Sequence, residues 1–102
     1  MDKARLMARR GKTRQIPIAD IGEVTVRGLT REELLSIDHK LSLIEVERMM
    51  LSSGMVDPRM TEDDVRIWQE NSVAGEIGEI LDAINELSGV RRSAAKDAYK
   101  SL

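Results

Sequence analysis

A serine, an aspartate and a histidine fall together in Ser36-Ile37-Asp38-His39. Such a trio can act as a hydrolase relay, in which the acid orients the imidazole and the imidazole activates the hydroxyl. On one helix these side chains diverge, and neither a glycine-rich elbow nor an oxyanion donor accompanies the serine. His39, the only histidine, is therefore read as an exposed structural residue. It has no cysteine to join it in a metal site, and transition metals need several convergent ligands. Glu62-Asp63-Asp64 is the densest acidic run, but it lacks the alternating spacing, central glycine and distal glutamate of a calcium loop. It suits the first turn of a helix, where negative charge complements the macrodipole. Gly75 and Gly78 come with neither a Walker lysine nor a preceding strand, so they make no phosphate loop. No catalytic residue, metal or cofactor is expected.

Binding chemistry has better candidates. Trp68 is the one large ring in an aliphatic chain, and serves either as a core anchor or as a binding hot spot. Its sharing of a helical face with Val65 favours the anchor. Met49, Met50, Met55 and Met60 cluster along one stretch. Such a cluster either fills a core or offers an adaptable surface to apolar partners.

The elements that must position these residues are bounded by composition. The chain has 102 residues, 41% hydrophobic and 33% charged, with a formal net charge of −2. That is the size and balance of one globular domain, not of a disordered polymer. With no Phe, one Trp and one Tyr, the core must be aliphatic, which favours helices and disfavours binding of nucleic acid by base stacking. No apolar run is long enough to span a bilayer, and the first fourteen residues contain no apolar signal region. An intracellular protein without membrane partners is expected.

Charge is divided into three zones. Residues 1–14 set six basic side chains against Asp2, a balance of +5; residues 15–87 balance at −10, and residues 88–102 at +3. An acidic body with basic ends can bind a basic partner or attract a second copy end to body.

Periodicity predicts an α+β fold, mostly α, with an N-terminal β-hairpin followed by about four helices packed as a small bundle. Residues 1–15 are expected to form a basic, flexible arm, and residues 16–102 one domain. Ile16-Pro17-Ile18 and Val24-Thr25-Val26 are short β-prone runs on either side of a turn at Gly22, giving a hairpin over 16–28. Pro17 cannot donate a ladder hydrogen bond, which makes the first strand an edge. The hairpin's apolar face must lie on the helices or on another chain. Thr30 and Glu33 have capping-box spacing, and Leu34, Ile37, Leu41, Ile44 and Leu51 share one helical face. This predicts a helix over about 31–53, stopped at Gly54, with a bend possible near Asp38. Thr61 and Asp64 cap a helix over 62–71, Ser72 caps one over 73–88, and Ser93 a last one over 93–101. Gly75 and Gly78 in the third of these suggest the close approach of another backbone.

The order of these motifs resembles that of the tail assembly chaperones of long-tailed (siphovirus-type) bacteriophages, in particular those of actinobacterial phages and prophages. The resemblance runs from about Ile16 to Leu102. It is carried by Gly22-Glu23-Val24-Thr25-Val26-Arg27-Gly28-Leu29-Thr30-Arg31-Glu32-Glu33, by Val56-Asp57-Pro58-Arg59-Met60-Thr61-Glu62-Asp63-Asp64-Val65 followed by Trp68, and by Ala74-Gly75-Glu76, Ile84 through Gly89, and Lys96-Asp97-Ala98-Tyr99-Lys100-Ser101. Residues 1–14 match least. The resemblance implies a non-enzymatic factor of the bacterial cytoplasm that coats and solubilises the tape measure protein, helps recruit tail tube protein and is absent from the finished virion. It also implies a short form accompanied by a longer frameshifted product of the same frame, and a homo-oligomer.

On this reading Ile16, Ile18, Val24 and Val26 are the expected contact between copies, and Met49, Met50 and Met55, with Trp68, the expected groove for the tape measure protein. Two rivals come from other classes. A small DNA-binding regulator would grip phosphate with residues 1–14 and show an affinity for duplex DNA that falls steeply with salt. The acidic middle opposes it, since no helix there presents a basic face. A structural tail or connector protein would stay in the virion, where mass spectrometry of purified particles would find it.

Overall fold

A computed structural model describes residues 2–8, 12–37 and 40–89. The order of elements is α1 (Lys3–Met7), β1 (Thr13–Ile18), β2 (Gly22–Arg27), α2 (Arg31–Leu35), α3 (Leu43–Gly54), β3 (Met55–Asp57), α4 (Glu62–Asn71) and α5 (Ala74–Leu87). The fold is α+β, with an N-terminal hairpin and a three-stranded antiparallel sheet in the order β1-β2-β3. Asp38, His39 and the helix expected over 93–101 lie outside the described residues. Among the described residues no helix is long and apolar enough to cross a membrane.

The hairpin follows from local chemistry. Ile16 faces Val24 across the ladder, and Asp20 (φ 66°) and Gly22 (φ 141°) take the left-handed conformations that the turn requires. β1 is an edge strand, as Pro17 demands. It begins at Thr13, inside the stretch expected to be a flexible arm, and α1 precedes it. Alternation puts Ile16, Val24 and Val26 on one buried face. That face is covered within the chain by α5, which lies against β1 and β2 and also packs on α3. With Leu51, Met55, Val65, Ile80 and Ile84 it forms a single aliphatic core.

Three expectations are corrected. The helix expected over 31–53 is two helices. Ser36 ends α2, its hydroxyl donating to the Glu33 carbonyl, and a second capping box of Ser42 and Glu45 starts α3. Ile37 and Leu41 serve the core from the link between them, so their spacing mimicked a helical stripe. Gly54 does not stop the helix as a left-handed cap; it is the last residue of α3, and a Cβ there would lie 2.6 Å from Ile84 Cδ1. Gly75 and Gly78 meet no described atom within 4 Å, and the close approach of another backbone is made at Gly28 instead. Lastly, α5 is capped by Val73, with no side-chain hydrogen bond, and not by Ser72.

The far end of the sheet is tied to α5. A Cβ on Gly28 would lie 2.4 Å from the Leu87 carbonyl oxygen, so only glycine permits this crossing. Beside it the Leu29 N–H donates to Ser88 Oγ (2.8 Å), which donates to the Ile84 carbonyl (2.6 Å). Arg27 and Glu33 then join β2 to α2 through two parallel hydrogen bonds of 2.9 and 2.5 Å. The Arg27 hydrogen bonds outweigh partial burial and, with the Thr30 N–H, draw the Glu33 carboxyl down from 4.5 to about 2. A carboxyl whose folded pKa is depressed contributes stability above its unfolded pKa and loses it as pH falls through the folded one. Denaturant titrations of the wild type are thus expected to lose on the order of 1 kcal/mol between pH 4.5 and 2 from this pair, the partial exposure of both side chains screening the rest. Glu33→Gln is expected to remove that increment, and an unchanged acid limb would show that the pair carries none of it.

Candidate functional site

Two apolar grooves open on the surface. The first, about 510 Å³, lies between the hairpin turn, the loop after β3 and the outer side of α4. Ile18, Ile21, Met55, Met60, Ile67 and Trp68 supply its apolar lining, and Arg59, Asp64, Asn71 and Glu76 its polar one. The turn at Asp20 presents Ile21 to solvent at 79% exposure, and Ile67 stands 51% exposed on α4. A capping box fixes the start of α4: Asp64 N–H donates to Thr61 Oγ1 (3.1 Å) and Thr61 N–H to Asp64 Oδ2 (3.0 Å). Those bonds hold the Asp64 carboxyl below its ordinary value. Trp68 packs partly on the core, and its Nε1 donates to Glu76 Oε2 (2.8 Å) across the α4–α5 junction. The indole is thereby held with one side in the core and another in the groove.

The second groove, about 460 Å³, runs between the start of α3, the end of α4 and α5. Leu43, Ile44, Gln69, Ser72, Gly78 and Leu81 are among its walls. Gln69 is clamped, donating to the Ile44 carbonyl (3.2 Å) and accepting from Arg48 Nε (3.0 Å). Leu43 and Ile44 are about half exposed, and Val73 beside them is 74% exposed. A Cβ built on Gly75 or Gly78 would meet no described atom within 4 Å. The Ser72 hydroxyl is buried without a hydrogen-bond partner among the described residues.

The residues expected to touch partners are distributed differently. Ile16, Val24 and Val26 are buried, so the hairpin's apolar face is not offered to a second copy; Ile18 is partly exposed and lines the first groove, where the buried Val24 also contributes. Met50 and Met55 are core residues, and Met49 packs partly on the core. Met55, expected in the partner groove, pairs with Val26 as the first residue of β3, is buried, and lines the first groove from within. Trp68 packs partly on the core and also lines the first groove. Ile21, Leu43 and Ile67 are exposed apolar residues that pattern reading passed over, whereas Ile44, expected on the apolar face of the long helix, is exposed. Ile67 lies off any buried stripe, and Ile21 sits in a turn.

No protein-family model matches the chain, and neither a curated protein nor a solved structure is similar enough to it to count as a match.

The Trp68–Glu76 bond yields a direct expectation. Glu76→Ala removes the acceptor and frees the indole, at a cost of about 1 kcal/mol. Acrylamide quenching of Trp68, the only tryptophan, is expected to rise. Unchanged quenching would mean that packing alone orients the ring.

Proposed function

We propose that the chain is a non-enzymatic assembly factor, a tail assembly chaperone of the kind its motif order resembles. Its client is the long, helical and apolar tape measure protein, which it keeps soluble in the bacterial cytoplasm. It helps recruit tail tube protein, acts beside a longer frameshifted form, and leaves before the virion is complete. The observation that best supports this reading is the face of α5 at the second groove. Gly75 and Gly78 each cost a helix about 1 kcal/mol relative to alanine, and no described residue uses the room they leave. Leu43 and Ile44 line the same groove as Gly78, Val73 immediately precedes α5, and all three apolar side chains are exposed. A client helix laid along α5 would bring its backbone close over the glycines and bury those three side chains. Each copy then offers one small apolar patch, and affinity comes from many copies on one long client, so that tube subunits can displace them stepwise.

Co-expression with the tape measure protein encoded beside it tests the reading. Soluble, co-purified complex is expected at moderate salt, with insoluble client when this chain is omitted. A client that stays insoluble even when the longer product is added would overturn it. Gly78→Ala separates the docking face from the fold. It is expected to stabilise the free chain by up to about 1 kcal/mol while lowering the yield of complex. A stabilised variant that retains full yield would place the client elsewhere.

A further inference from the structure

We propose that the first groove is the seat for α1 of a second copy, so that copies associate head to tail. This concerns a different groove from the client's and holds whether or not the client is a tape measure protein. Five residues make up α1, and Asp2 caps it by accepting from the Ala4 N–H (3.0 Å). A helix so short has almost no stability of its own in water. None of its residues is buried, and Leu6 and Met7 stand 53% and 72% exposed. Two large apolar side chains are thus left exposed among the described residues, and Lys3 and Arg5 lie in the same short helix.

The groove complements this segment in both respects. Its lining is apolar, and its volume is that of an ordinary ligand site. Its polar margin includes Asp64 and Glu76 against Arg59, and the charged neighbours in sequence of its lining residues are Asp20, Glu23, Asp57, Asp63 and Glu70 against Arg66, which pairs with Asp63 and Glu70. Residues 1–14 balance at +5 and residues 15–87 at −10, so the encounter is favoured electrostatically. The indole of Trp68 adds a face on which Lys3 or Arg5 can rest as a cation.

Geometry selects a second copy over the chain's own arm. The chain enters β1 at Thr13, whereas the groove lies at the Ile18–Ile21 end of the hairpin. That is the length of the strand away, about 17 Å. The few residues joining α1 to β1 would have to be drawn out almost straight to cover it, and Leu6 and Met7 are found exposed instead. A contact that joins an arm at one place to a groove at another is heterologous. It does not close on itself as a two-fold pair does, and repeats into an open row.

The test uses the full chain and Trp68 as its reporter. Light scattering over a concentration series at low salt is expected to show association, with a blue shift of Trp68 emission that is lost at high salt. Leu6→Asp with Met7→Asp removes the arm's apolar pair, and Ile67→Asp spoils the groove; all three positions are exposed, so circular dichroism should be unchanged. Each variant alone is expected to associate at least tenfold more weakly. Mixed, they are expected to form a one-to-one pair that grows no further, because only one good arm and one good groove remain. Monomeric wild type at every concentration would overturn the proposal. So would arm variants that associate like the wild type, or a mixture that forms no pair.

Discussion

The rest of the structure depends on one crossing, where the end of β2 passes over the end of α5. There the backbone of Gly28 lies against that of Leu87 and Ser88 so closely that a methyl group has no room. The buried Leu29 N–H is satisfied by Ser88 Oγ, and the same hydroxyl passes its own hydrogen to the Ile84 carbonyl. One side chain thus satisfies a donor after a strand and adds a second hydrogen bond to a carbonyl that already accepts from the Ser88 N–H. With α5 anchored at this end, Ile77, Ile80 and Ile84 are set over Val26 and its neighbours. The core closes because the two chain directions are fixed there. Arg27 and Glu33 continue the constraint into α2, which is held to the sheet by this bidentate pair and by Leu34, packed partly on the core.

Much of this architecture was legible from neighbouring residues. The hairpin, its turn and the bounds of α4 depend on interactions within a few positions, which sequence patterns record. What was illegible depends on distant partners. Met55–Asp57 becomes a strand only because β2 has an unpaired side, and three residues carry no period of their own. Ser42 and Glu45 did carry a readable signal, but a stripe running from Leu34 to Leu51 outweighed it. The stripe was real as a set of inward-facing residues and false as a single helix, for Ile37 reaches the core from a link.

The same reasoning governs the surface. Binary patterning treats every aliphatic residue as a candidate for the interior, so it assigned methionines to a binding face and overlooked Ile21 and Ile67. In the folded chain the interior claims Met50, on the buried face of α3, and Met55, which β3 pairs with Val26. What remains outside is the informative remainder: Trp68 with its rim, and the row from Leu43 to Val73. Trp68 could be recognised from sequence because its rarity made it conspicuous, whereas the grooves are made of common residues whose meaning is positional.

Among the described residues neither outer strand of the sheet has a further partner, and both margins are poor templates. The outer strand β1 contains Pro17, which has no N–H to give, and the opposite margin is a three-residue strand whose register with β2 steps between Thr25 and Val26. An incoming strand would find an interrupted row of donors on one side and too short a row on the other. Cross-β growth into fibrils is therefore discouraged at both ends of the sheet. A molecule built this way can be present at high local concentration and still meet its own kind only through side chains, in contacts that come apart again.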